Sequence, residues 1–166
     1  MGNKDQCEAS MLISFYISLV WFLFASTVAT HKKFPHKDLA FMFLSVDFLN
    51  TNLYYLFDDA FHVFDLSKDP SRYVSFALLQ SLIIPNVIAI LVNLSIQSQA
   101  VTRKLVVQLA AIGVLVGLEL MSHLLLLITY HGFLKAIWLS LYRVALFYMA
   151  YFALKCFKRM CSHAHL

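Results

Sequence analysis

Four residues able to carry charge or hold a ligand sit near the middle of long apolar runs: Asp47, Asn86, Glu119 and Arg143. An isolated charge at the centre of a bilayer costs from about 2.5 to well over 10 kcal/mol, so each needs a partner, a bound ion or water. Glu119 lies 12 residues before His131 and Arg143 lies 12 residues after it, with a turn expected at His131-Gly132. The two residues are therefore predicted at equal depth on the arms of a helical hairpin, where an ion pair would remove much of the cost.

Helical spacing, at about 100° per residue, identifies the neighbours of these groups. Asp47, Asn50, Thr51, Tyr54 and Asp58 share one face, and Asn86, Asn93 and Gln97 share another. Glu119, Ser122 and His123 fall together, as do Ala136, Ser140, Arg143 and Ala150. Opposite Glu119, the small residues Ala110, Gly113 and Gly117 form a strip predicted to pack against a second helix, since small side chains let helices approach closely in lipid. Pro85 beside Asn86 frees a backbone carbonyl about four residues earlier.

Two readings of the cluster Asp47, Asn50, Asn86, Glu119, His123 and Arg143 stand side by side. In one, the polar groups join helices, each hydrogen bond contributing about 1 kcal/mol. In the other they line a route for an ion, proton or small solute through a charged waist. Asp47 separates the two. Arg143 neutralises one carboxylate, so a second acid at the waist must be protonated, paired with a cation or reached by water.

The elements that must position these residues are long. Of the 166 residues, 61% are hydrophobic and 13% charged, against about half apolar and a quarter charged in soluble domains. Five apolar runs, 11–30, 38–57, 73–97, 105–130 and 133–156, each approach or exceed the roughly 20 helical residues that cross a hydrocarbon core of about 30 Å. The predicted fold is all-α, a polytopic bundle of about five membrane-spanning helices forming one domain over residues 1–166, with helix 2 the most polar. Lipid is the expected surrounding partner, and a protein partner or second copy is expected to dock through membrane helices.

The net charge of +4 does not imply nucleic acid, because the basic residues stand at the ends of apolar runs instead of in a stripe. Eight Lys and Arg fall on one side (Lys32, Lys33, Lys37, Arg103, Lys104, Lys155, Lys158, Arg159) and four on the other (Lys4, Lys68, Arg72, Lys135). Positive loops stay in the cytoplasm, which places the N-terminus outside and the C-terminus inside.

Other candidate sites are weaker. Asp58, His62, Asp65 and Asp69 recur at helical spacing, consistent with a short amphipathic helix at the interface and a solvated acidic face. They lack the oxygen-rich loop of a hard-metal site. His163 and His165 are too few for a specific metal site. Cys7, Cys156 and Cys161 read as free thiols, with acylation of Cys156 or Cys161 as an alternative. The Asn93-Leu94-Ser95 glycosylation triplet falls in a predicted helix. No nucleophile with a base, phosphate-cradling loop or zinc-protease motif is present, so neither an enzyme nor a cofactor is expected.

From Pro35-His36-Lys37-Asp38 onward the chain resembles a family of small, uncharacterised multi-helix inner-membrane proteins of spore-forming Gram-positive bacteria. The resemblance rests on the Pro-x-Lys-Asp entry to helix 2, Pro85 within helix 3, and the stretch from Leu118-Glu119 through Thr129-Tyr130 to Trp138. It covers about the last three quarters of the chain. It implies a bacterial cytoplasmic membrane and no established activity or site residues.

Overall fold

The computed structural model describes residues 3–30, 36–61, 64–67, 69–98, 100–130 and 133–163. Helix α1 spans Asn3–Thr30 and α2 spans His36–Phe61; α3 (Pro70–Leu78) continues through a π-helical turn at Leu79–Ile83 into α4 (Ile84–Gln97). Helix α5 spans Val101–Leu124 and α6 spans Phe133–His163. Counting α3, the π turn and α4 as one rod, the bundle has five helical rods. It is an all-α bundle, as the composition implies.

Among the described residues, four stretches are long and apolar enough to cross a membrane: Ser10–Ala29, Pro70–Gln97, Val101–Leu124 and Ile137–Met160. This fits an integral membrane protein. Helix α2, with 26 residues, has ample length but is not among the four. Its Asp47, Asn50, Asn52 and Asp58 lower its hydropathy. It packs along α4 and α6, which gives its polar face somewhere other than lipid to go.

The α3–α4 rod is the centre of the bundle. Its most apolar window is 61% buried, against 39% for α6, 22% for α5 and 11% for α1. Ile83, Ile84, Ile88 and Val92 are buried along its length. Against them lie Met42 and Val46 of α2, Ala111 and Leu115 of α5, and Leu146 and Phe147 of α6. Helix α1 packs on the outside of the rod, with Tyr16 buried and Trp21, Phe22 and Val28 exposed.

The rod begins at a well-formed cap. Asp69 holds extended backbone (φ −74°, ψ 121°), its carboxylate accepts from the Ser71 N–H, and Pro70 follows at the first helical position. Both choices suit a helix start, one by satisfying an orphan donor and the other by lacking it.

Three sequence expectations differ from the structure. Among the described residues, no separate amphipathic helix lies between α2 and α3. Instead α2 runs on to Phe61, and strand β1 (Phe64–Leu66) pairs antiparallel with β2 (Ile128–Tyr130), with Asp65 opposite Thr129. Phe64-Asp65-Leu66 alternates apolar and polar with period two, as does Ile128-Thr129-Tyr130, and locally that period prevails over the helical one. His62, His131, Gly132 and His165 lie outside the described residues.

Helix α5, expected to reach residue 130, stops at Leu124. Leu126 takes left-handed backbone (φ 54°). Its N–H donates to the His123 carbonyl and the Leu127 N–H to the Ser122 carbonyl, both at 3.0 Å. That is a Schellman closure with leucine at the position glycine usually fills. The left-handed leucine costs about 1 kcal/mol, and full burial of Leu127 and Ile128 just beyond offsets it.

The third difference concerns Gly113 and Gly117. Both face outward with Ala110, and a Cβ added at either glycine would meet nothing within 4 Å. Helix α5 uses the opposite face for packing, through Ala111, Leu115, Glu119 and Ser122, so among the described residues no helix closes on the two glycines.

Candidate functional site

The polar centre forms around Arg143 of α6, which is 1% exposed. Its Nε donates to Glu119 Oε2 of α5 at 3.0 Å. Its Nη2 donates to Gln80 Oε1 of the π turn at 2.8 Å, and its Nη1 to Asn50 Oδ1 of α2. Each guanidinium nitrogen thus has an acceptor, and each acceptor comes from a different helical rod. The ring centroids of Tyr54 and Tyr142 lie 5.2 and 5.6 Å from the guanidinium carbon, within range of a cation–π attraction.

The π turn explains why Asn50 and Gln80 meet. In an uninterrupted α-helix the Gln80 carbonyl would accept from the Ile84 N–H. That N–H instead bonds to the Leu79 carbonyl, and the next residue, Pro85, has no N–H to offer. The Gln80 carbonyl is left without a helical donor, and Asn50 Nδ2 supplies one at 2.7 Å. In return Gln80 Nε2 donates to the Asn50 carbonyl at 3.3 Å, and the Tyr142 hydroxyl donates to Asn50 Oδ1 at 3.3 Å. A break in one helix thereby becomes a two-way clasp with its neighbour.

The equal depth of Glu119 and Arg143 survives the early end of α5. Glu119 lies five residues before Leu124, about 7.5 Å of helix, and Arg143 lies ten residues after Phe133, about 15 Å. The turn and strand β2, rising about 3.3 Å per residue, cover the difference.

Of the six residues read from sequence as one cluster, the structure brings together Asn50, Glu119 and Arg143. Asp47 is half-buried elsewhere on α2 and accepts from Thr51 Oγ1 at 3.4 Å. Asn86 is buried and donates to the Leu82 carbonyl of its own rod. His123 Nδ1 lies 3.3 Å from the Ile128 carbonyl, at the corner where α5 meets β2. The charge at the clasp is consequently one cation against one carboxylate, and no surplus acid sits on Arg143.

Gln80 and Tyr142 escaped the sequence reading. Depth counted from the ends of the apolar run pointed to Asn86, whereas the useful signal was a glutamine five residues before the proline that disrupts the helix. Tyr142 is beside Arg143 in sequence, about 100° around the helix, and reaches Asn50 through its length. A second junction also went unread: Lys158 Nζ of α6 pairs with Asp38 Oδ2 of α2 at 3.1 Å, and Phe41 stacks on Phe157 at 4.2 Å beside it.

A cavity of about 50 Å³ adjoins the clasp, lined by Thr51, Tyr54, Tyr73, Phe76, Gln80 and Ser81 among others. It has room for water, and Asp47 is not part of its lining. Among the described residues no group of three or more His, Cys, Asp or Glu is placed to hold a metal. Asn93 and Ser95 are buried within the bundle, out of reach of a glycan. Cys156 is an exposed free thiol. Compared with family models, with curated proteins and with solved structures, the chain matches none of them.

Proposed function

We propose that the chain is a multi-pass integral membrane protein with no catalytic activity, serving as a structural subunit or interaction protein whose outer faces contact lipid and partner helices. The supporting observation is the saturation of Arg143. Its cation is balanced by Glu119, its nitrogens are taken by three rods, and its faces are covered by two tyrosines. A group that relays ions or substrates needs an unsatisfied or exchangeable partner, and this one is spent on holding α2, the π turn, α5 and α6 together. In the cell the N-terminus lies outside and the C-terminus in the cytoplasm of a bacterial membrane, as the basic residues and the family resemblance suggest.

The decisive test is genetic. Glu119→Gln leaves a buried cation without its counter-charge and should sharply lower the yield of folded protein, by a loss of about 3 kcal/mol or more. Adding Arg143→Gln should restore much of the yield. Normal yield for Glu119→Gln would count against the proposal. Orientation is read by labelling Cys156, with Cys7 and Cys161 replaced, using a membrane-impermeant maleimide; labelling only after the membrane is opened is expected.

A second reading, a small transporter or proton-linked permeation unit using Asp47, Glu119, His123 and Arg143, would need water to reach those residues, and none of the four lines the cavity beside Gln80 and Tyr54. That reading requires Asp47→Asn to abolish solute or proton flux in proteoliposomes while expression is preserved. The structural reading expects unchanged leak.

A further inference from the structure

At the far end of α6 the chemistry differs from that around Arg143. Lys155, Lys158 and Arg159, spaced three and four residues apart on one side of the helix, line an open cleft with Tyr151 and Ile96 of α4. The cleft encloses about 370 Å³. From α5, Lys104 places its ammonium 5.1 Å from the centre of the Tyr151 ring. Three rods therefore converge here, and the acid among these contacts is Asp38, which takes Lys158. Four basic side chains, Lys104, Lys155, Lys158 and Arg159, thus gather at a concave opening, and Asp38 pairs with one of them, Lys158.

The position of the cleft restricts what can fill it. Lys155 lies within the stretch Ile137–Met160 that is apolar enough to cross a membrane, near its end. Below it on α6, Tyr148 and Phe152 are exposed, and on α5 Leu105 and Leu109 are exposed beyond Lys104. A ligand seated here meets cations at one end and lipid-facing apolar surface at the other. A soluble anion matches only the first half of that pattern. A glycerophospholipid with an anionic headgroup matches both, with phosphate oxygens accepting from the ammonium groups and acyl chains lying along the helices.

We propose that this cleft binds the phosphate headgroup of an anionic glycerophospholipid, with Lys155 and Lys104 as its principal donors. The inference rests on the membrane reading above. The full-length protein is reconstituted in phosphatidylcholine nanodiscs containing a minor fraction of phosphatidylglycerol, and co-purifying lipid is counted by native mass spectrometry. Wild type should retain phosphatidylglycerol in preference to phosphatidylcholine. Lys155→Gln and Lys104→Gln should each weaken that preference about fivefold, the effect of one cation near a membrane surface. Lys135→Gln, at the opposite end of α6, should leave it unchanged.

Equal retention of the two lipids would overturn the proposal, as would a preference insensitive to Lys155 and Lys104. Displacement of the lipid by inorganic phosphate at comparable concentration would also overturn it, by showing an anion site that ignores the chains. Failure of the protein to enter nanodiscs or to pellet with membranes would instead overturn the membrane reading. The two failures are thus separable.

Discussion

Helix α6 carries cations at two depths, and they are treated in opposite ways. At Arg143 the chain surrounds one guanidinium with a carboxylate, two amide oxygens and two aromatic rings, leaving it 1% exposed. About three to four and a half turns further on, Lys155, Lys158 and Arg159 crowd around an open cleft, where Asp38 engages Lys158. The difference follows from the surroundings. A charge in the apolar interior must be matched within the protein, because nothing else there can solvate it. Charges at the end of the span can be left in excess, because water and lipid phosphates are within reach. The buried cation organises the fold, and the proposed lipid site draws on two peripheral ones, Lys104 and Lys155.

Substitutions sharpen that contrast in graded order. The largest effect after those on the ion pair itself is expected for Asn50→Ala. It removes the acceptor for Arg143 Nη1 and the donor to the Gln80 carbonyl together. Each buried bond to a charged group contributes about 1.5–3 kcal/mol, so a loss of about 2 kcal/mol should be seen in detergent unfolding. A smaller effect, up to about 1 kcal/mol, is expected for Asp38→Asn, since Lys158 remains partly solvated when its partner is neutral. Lys155→Gln should fall within about 0.5 kcal/mol of wild type in the same assay, as for surface changes generally. If Lys155→Gln destabilised the fold as much as Asn50→Ala, the division between an organising interior and a recognising periphery would be lost.

The ion pair was legible in the sequence because depth in a membrane helix scales simply with residue number, and a buried acid and base at matched depth have few other options. Asn50 was legible through its helical face. Gln80 was not, because its part depends on a π turn that redirects one N–H, and no periodicity announces such a turn. The same limit explains β1 and β2, three-residue strands too short to register against the longer helical pattern around them. It also explains Gly113 and Gly117. Small residues permit close packing, but which face is used depends on where Glu119 has to point, and that is decided by Arg143 on another helix.

The central claim is that Glu119 and Arg143 act as one structural unit. Reversible unfolding of wild type, Glu119→Gln, Arg143→Gln and the double variant in mixed micelles measures their coupling directly. The expected result is a double variant more stable than the sum of the single losses by at least about 1.5 kcal/mol, the range of close networked pairs. Losses that add within about 0.5 kcal/mol would contradict the claim, because additivity at that level belongs to residues that do not interact.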